Sequence, residues 1–164
     1  MEALTAALQA LQDAALPTAL RRSNLVYPFV NGTHITGLAL LFGAIVPLDL
    51  RLMGFWRSVP LPDLARVLVP VAIFGLVTAL LTGAFMFSSQ AVKYSGMGIF
   101  QLKLALVAAA TMNALFLHRT AAWGAALTAG PAGQLYPRLA VSGALSVVLW
   151  LGALLCGRFI AYYA

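Results

Sequence analysis

Residues 67–87 read Val-Leu-Val-Pro-Val-Ala-Ile-Phe-Gly-Leu-Val-Thr-Ala-Leu-Leu-Thr-Gly-Ala-Phe-Met-Phe, an apolar run without a charged side chain. A run of about 20 apolar residues is long enough to cross the roughly 30 Å hydrocarbon core of a bilayer as an α-helix. Because lipid offers no hydrogen-bonding partner, the backbone of such a run must satisfy its own polar groups, as a helix does. We therefore predict that this segment is a transmembrane helix.

Three further segments, residues 25–50, 99–117 and 139–157, have a similar apolar character. The joints carry residues that break helices. They are residues 53–63, residues 88–98, and the region of Gly130, Pro131, Gly133 and Pro137. The predicted fold is therefore all-α: an integral membrane four-helix bundle over residues 21–164, preceded by a separate N-terminal segment.

The composition supports a membrane setting. Hydrophobic residues make up 62% of the 164-residue chain and charged residues only 9%, against about a quarter in soluble domains. The net charge is +6, but the basic residues stand mostly at the ends of apolar runs, where they match anionic headgroups. No basic cluster with interleaved aromatic residues indicates nucleic acid. The expected partner is the lipid bilayer, with other membrane subunits or further copies of the chain as additional candidates.

The N-terminal segment, residues 1–20, has a different pattern. Leu4, Leu8 and Leu11 recur at helical spacing, and polar residues occupy other positions on the helical wheel. Pro17 then interrupts the pattern. We predict an amphipathic helix that lies in the membrane interface.

Histidine 34 is the most informative polar residue inside a predicted span. Polar and ionisable groups in a membrane are costly and therefore often mark functional sites. On a helical wheel His34 shares a face with Asn31. The imidazole could ligate a haem iron or a copper ion, or relay a proton. The alternative is a neutral imidazole that only hydrogen-bonds inside the bundle.

A haem b commonly needs two histidines at similar depth, and the second histidine of the chain is His118. Spans one and three run parallel in this topology, and the two residues differ in depth by about 15 Å at 1.5 Å per residue. This offset counts against one haem held by both. Lys103 and Asn113 complete the candidate cofactor contacts, although a lysine near a span end can also snorkel to the headgroups, and an asparagine can simply bond another helix.

Asp49, Arg51 and Arg119 form a second set of candidate residues at the other side of the membrane. Asp49 and Arg51 are two positions apart, so they point to different sides of a helix. We expect Asp49 to meet Arg119 or Lys103 from another helix. The set could form a structural ion pair or a proton relay.

The stretch His34-Ile-Thr-Gly-Leu-Ala-Leu-Leu-Phe-Gly-Ala-Ile-Val-Pro-Leu-Asp-Leu-Arg-Leu-Met-Gly54 resembles the signature of a bacterial family of small uncharacterised four-helix inner-membrane proteins. The segments Phe100–Lys103 and Asn113–His118 fit the same pattern, and the resemblance covers roughly residues 20–160. It implies a bacterial inner-membrane protein that crosses the membrane several times. It also implies importance for His34, Asp49, Arg51, Lys103 and Asn113 without assigning them a role.

Three functions remain open from the sequence. The leading hypothesis is a redox-associated membrane subunit that binds haem b or a quinone near His34. The alternatives are a structural or accessory subunit of a larger membrane complex, and a transporter of small solutes or metal ions. For metal transport the candidate soft ligands are Met53, Met86, Met97 and Met112. Hydrolase and phosphate-loop motifs are absent, so any enzymatic role would be that of an electron-transfer component.

Overall fold

The computed structural model describes residues 2–23, 25–128 and 136–163, and the regular structure in these ranges is helical throughout. The helices are, in chain order, α1 Glu2–Asp13, α2 Ala15–Arg22, α3 Val26–Leu52, α4 Leu61–Ser89, α5 Ala91–Ser95, α6 Gly98–His118, α7 Ala121–Thr128 and α8 Pro137–Tyr163. Four of them, α3, α4, α6 and α8, are long and apolar enough to cross a membrane. The predicted all-α bundle with four membrane spans is therefore confirmed.

Most ends of the observed helices extend beyond the predicted spans, and the largest extensions, about six residues each, are at the start of α4 and at the end of α8. Helix α4 begins at Leu61, with Pro62 in its first turn and Asp63 in the same turn. A proline costs no helical hydrogen bond there, and an acidic side chain favours the positive end of the helix dipole. Pro137 likewise begins α8. The predicted joint residues Gly130, Pro131 and Gly133 lie outside the described residues.

The spans alternate in direction. His34, Gly37 and Leu41 of α3 lie beside Gly83, Ala79 and Gly75 of α4, and Lys103 and Leu106 of α6 lie beside Gly157 and Gly152 of α8. Each of these pairs of helices is therefore antiparallel. We call one end of the bundle the termini end; it contains the starts of α3 and α6 and the ends of α4 and α8. The other end is the opposite end.

Glycines allow the closest helix contacts. A Cβ atom on Gly75 would lie 2.6 Å from the backbone nitrogen of Leu41, and one on Gly143 would lie 2.9 Å from the carbonyl oxygen of Asp49. Transmembrane helices associate largely through packing, and small residues let their backbones approach. As a result α3 packs closely against α4 on one side and against α8 on the other, and α8 packs against α6.

The buried apolar residues concentrate in the middle of the bundle and at the opposite end. Leu41, Ala110 and Trp150 form the central cluster. The second cluster comprises Leu48, Leu52, Leu61, Ala65, Leu117, Trp123, Ala126 and Leu139. Both clusters lie further from the termini end than His34 does.

The N-terminal segment forms two helices rather than one, with the break at Ala14 and not at Pro17. Pro17 is buried in the first turn of α2, where its missing N–H group costs no hydrogen bond. Helix α1 packs against α5 and the end of α4, and the Gln12 side-chain oxygen accepts a hydrogen bond from the Val92 N–H at 3.4 Å. The N-terminal helices therefore contact the termini end of the bundle; their place in the membrane interface stays a prediction.

Candidate functional site

His34 lies inside the bundle, half-buried, about 12 Å along α3 from its first residue. Its Nδ1 atom is 3.0 Å from the hydroxyl oxygen of Thr82 on α4. Gly83 makes room for the ring, because a Cβ atom at that position would lie 3.2 Å from the Cε1 atom of His34. Helix α4 therefore both holds the imidazole and leaves space for it.

The hydrogen bonds of Thr82 indicate which ring nitrogen of His34 carries the proton. The Thr82 hydroxyl donates its single proton to the carbonyl oxygen of Thr78, at 2.6 Å. While the hydroxyl donates to Thr78 it accepts from His34, and the Nδ1–H group is then the donor. The Ala79 carbonyl, which can only accept, lies beside the same ring. A neutral imidazole held in this way keeps the lone pair of Nε2 available for a ligand.

Lys103 approaches the same site from α6. Its Nζ, Cε and Cδ atoms lie 3.4, 3.5 and 3.8 Å from the position that a Cβ atom on Gly157 would occupy. The side chain therefore runs along α8 beside Cys156 and Gly157, and its charge acts on His34. The absence of a side chain at Gly157 is what allows the lysine to lie against this helix.

All four spans thus contribute to one level of the membrane. His34 comes from α3, Thr82 from α4, Lys103 from α6 and Gly157 from α8. Asp49 lies about 22 Å from His34 along α3, and the other acidic residue of the described spans, Asp63, lies in the first turn of α4 at the opposite end. In the described part of the bundle, two basic side chains therefore lie at about the same level, near enough for the charge of Lys103 to act on His34, and the acidic residues of the spans lie towards the opposite end. A ligand that offers an oxygen acceptor to Lys103 and a hydroxyl donor to Nε2 of His34 would complement them.

Asn31 and Asn113 were the other predicted contacts on the polar faces. Asn31 is half-buried one turn before His34, towards the start of α3. Asn113 lies about 15 Å from Lys103 along α6, and its side chain exchanges two hydrogen bonds with Ser142 of α8. The amide Nδ2 donates to the Ser142 carbonyl oxygen, and the Ser142 hydroxyl donates to Oδ1, each at 3.0 Å. Asn113 therefore joins α6 to α8, away from His34.

His118 is the last residue of α6 and is exposed at the opposite end. Its Nδ1 atom is 2.7 Å from the Ala114 carbonyl oxygen, and its ring packs against Trp123 with a centroid distance of 4.5 Å. Along the helix it lies about 22 Å from Lys103, which is level with His34. The two histidines are consequently too far apart to hold one haem between them.

Asp49, Arg51 and Arg119 do not come together as the sequence suggested. Asp49 is buried, and its carboxyl group bonds to the Ser146 side chain of α8. Arg51 points to the loop after α3, where its Nε atom donates to the Val59 carbonyl oxygen at 2.8 Å. Arg119 is exposed just after α6. The expected partners of Asp49 are therefore replaced by a serine, because α8, not α6, packs against this part of α3.

Metal-ligand candidates are dispersed. Met53 follows α3 at the opposite end, and Met112 is exposed on α6. Met86, near the end of α4, and Met97, just before α6, lie at the termini end. The described residues include no group of three or more His, Cys, Asp or Glu side chains placed to hold a metal ion. If His34 bound a metal ion, it would therefore do so without a cluster of His, Cys, Asp or Glu side chains from the described residues.

The partners of the predicted site residues were not predictable from the sequence. Thr82 belongs to a stripe of small and polar residues on α4, which helix packing alone could explain, and nothing in the sequence links it to His34. Gly157 and Ser146 belong to a similar stripe on α8. Such stripes indicate which face of a helix turns inwards, but they do not show which residue of another helix lies opposite.

Helices α3, α4, α6 and α8, together with their polar interior, define the chain as an α-helical integral membrane protein with several spans. Comparison with protein-family models, with curated proteins and with solved structures finds no match to this chain.

Proposed function

We propose that this chain is a redox-associated membrane protein that binds the head group of a quinone between His34 and Lys103. The observation that carries the proposal is that the Lys103 side chain, from α6, lies near enough to His34 of α3 for its charge to act on the imidazole inside the bundle. Thr82 orients the imidazole, and Gly157 gives the lysine its path. The proposed electron-transfer role depends on quinone binding, so the same experiment tests both.

The chemistry of the pair suits both redox forms of a quinone. The carbonyl oxygens of a quinone accept hydrogen bonds, and the Lys103 ammonium group can donate to one of them. The hydroxyl groups of a quinol donate, and the free Nε2 lone pair of His34 can accept from one of them. The site lies about 8–12 Å inside the helix ends, as judged from the rise per residue, which is within reach of a lipid-soluble molecule.

Haem b receives less support from the same geometry. His34 and His118 are about 22 Å apart along the bundle, so a haem with both as axial ligands does not fit. No specific contact favours the metal-transport alternative either, since the methionines are dispersed.

On the resemblance of residues 34–54 we further propose a location in a bacterial inner membrane, and association with other membrane subunits or with further copies of the chain.

The test is to purify the full chain in mild detergent, reconstitute it with a defined quinone, and measure bound quinone by extraction and chromatography. His34→Ala and Lys103→Met should each weaken binding at least tenfold, which corresponds to about 1.4 kcal/mol. His118→Ala is the matched control, because it removes an exposed histidine far from the site, and it should bind like the unchanged protein.

Two results would contradict the proposal. One is a folded unchanged protein that binds no quinone above the level of empty membranes. The other is equal binding by all four proteins, which would place any quinone elsewhere. A reduced-minus-oxidised absorption spectrum of the purified protein distinguishes haem binding from quinone binding. A Soret band that is lost in His34→Ala would show that His34 holds a haem and not a quinone.

A further inference from the structure

The half of the bundle near the opposite end contains a buried carboxyl group. Asp49 is only 5% exposed, and Ser146, which bonds its carboxyl group, is also 5% exposed. The two helices are in backbone contact here, since a Cβ atom on Gly143 would lie 2.9 Å from the Asp49 carbonyl oxygen. The carboxyl group is therefore enclosed in the α3–α8 interface rather than exposed to headgroups.

The hydrogen bonding of this carboxyl group is incomplete. Its Oδ2 atom is buried and has no hydrogen-bond partner. On α8, one turn beyond Ser146, the indole Nε1 of Trp150 is buried and also lacks a partner. A carboxylate that leaves water needs donors or a cation at both oxygens, or it takes up a proton. Ser146 supplies a partner for one oxygen only.

The charged groups of the surrounding elements do not supply the missing partner. Arg51 turns to the loop carbonyls of residues 57 and 59. The other charged side chains of the described opposite end are exposed: Arg57 in the loop, Asp63 and Arg66 on α4, Arg119 after α6, and Arg138 on α8. Helix α7, residues 121–128, carries no charged side chain. In the described structure, no cation therefore faces the carboxyl group.

We propose that Asp49 is a proton-binding site within the membrane, occupied by a proton at neutral pH. The neutral acid carries no charge into the apolar interface, so its burial costs far less than that of the carboxylate. Ser146 holds one oxygen of the acid. This inference does not depend on quinone binding, whose site is about 22 Å away along α3.

Dicyclohexylcarbodiimide provides the first test, because it attacks protonated carboxyl groups in apolar surroundings and spares solvated carboxylates. The chain has four acidic residues, Glu2, Asp13, Asp49 and Asp63, so peptide mass spectrometry identifies the modified one directly. We expect one adduct, on Asp49, at neutral pH, and less of it as the pH becomes alkaline. Asp49→Asn should abolish the adduct, whereas Asp63→Asn, which changes an exposed acid, should retain it.

Infrared spectroscopy gives a second test that needs no reagent to enter the protein. The unchanged protein should show the C=O stretching band of a protonated carboxyl group, which shifts when aspartate is labelled with carbon-13 and is lost in Asp49→Asn. Absence of that band at neutral pH would overturn the proposal, whatever the result of the carbodiimide reaction. Protection from the carbodiimide by sodium chloride but not by choline chloride would also overturn it, because the oxygens would then hold a metal cation.

Discussion

Asn113 of α6 and Ser142 of α8 hydrogen-bond each other in both directions, through the amide nitrogen and the hydroxyl group, at 3.0 Å in each case. The pair joins two spans at a depth where lipid offers neither side chain another partner. Both polar groups are half-buried, so removing one leaves the other with an unsatisfied atom.

We expect Asn113→Ala and Ser142→Ala each to lower the free energy of unfolding by about 1 kcal/mol, the usual size of interhelical hydrogen bonds in membranes. The double variant should lose less than the sum, because both single changes break the same contact. Unfolding in mixed micelles monitored by circular dichroism measures this. Met112→Leu, on the exposed face of α6, is the control; strict additivity would show that the pair contributes nothing jointly.

Two glycines of α3 should respond in opposite ways to the same change. A Cβ atom on Gly37 would lie 2.9 Å from the Ala79 backbone nitrogen, whereas one on Gly43 meets nothing within 4 Å. Gly37→Ala should therefore cost about 1–3 kcal/mol of stability through overpacking. Gly43→Ala should add about 0.5–1 kcal/mol through helix propensity. Thermal unfolding in detergent compares them, and equal effects would argue against the close α3–α4 contact.

The Thr82 hydroxyl should determine the tautomer of His34. Because that hydroxyl already donates to Thr78, neutral His34 is expected to carry its proton on Nδ1. Nitrogen-15 NMR of the imidazole, recorded in a His118→Ala background so that one histidine remains, reports this directly. Thr82→Val should shift the population towards the Nε2–H form and Thr82→Ser should preserve it. A predominant Nε2–H form in the unchanged protein would refute the assignment.

Arg51 should hold the loop between α3 and α4. Its guanidinium donates to the carbonyl oxygens of Val59 and Arg57, at 2.8 and 3.5 Å, and a lysine cannot reproduce this fork. In Arg51→Lys we expect trypsin to cut after Arg57 several times faster, with a loss of about 1–3 kcal/mol in stability. Arg66→Lys, an exposed change on α4, should leave the cutting rate unchanged. Unaltered proteolysis in Arg51→Lys would show that the loop is held by other contacts.

Much of the fold was predictable because it follows from local properties of the chain. Apolar runs of sufficient length must be helical in lipid, since each backbone group has to find its partner within the run. The N-terminal helix was harder to delimit, because a proline in a first turn does not end a helix and Pro17 is such a residue. The extra length of α4 has the same cause at Pro62.

The sites were predictable only in part. His34, Lys103 and Asp49 could be singled out because polar groups in lipid are costly. Their partners could not, because the contacts between spans depend on how the helices are ordered and rotated about their axes. Packing of small residues decides this at Gly37, Gly75 and Gly143. Asp49 consequently bonds to Ser146 instead of an arginine.

By itself the sequence determined that this protein is a set of membrane-crossing helices, because the requirement to pair backbone groups in lipid acts within each apolar segment. The tertiary structure alone decided which side chains meet: Thr82 with His34, Asn113 with Ser142, and Lys103 with the surface of α8. The physical reason is that contacts between helices depend on shape complementarity over many residues. No single segment of the sequence contains that information.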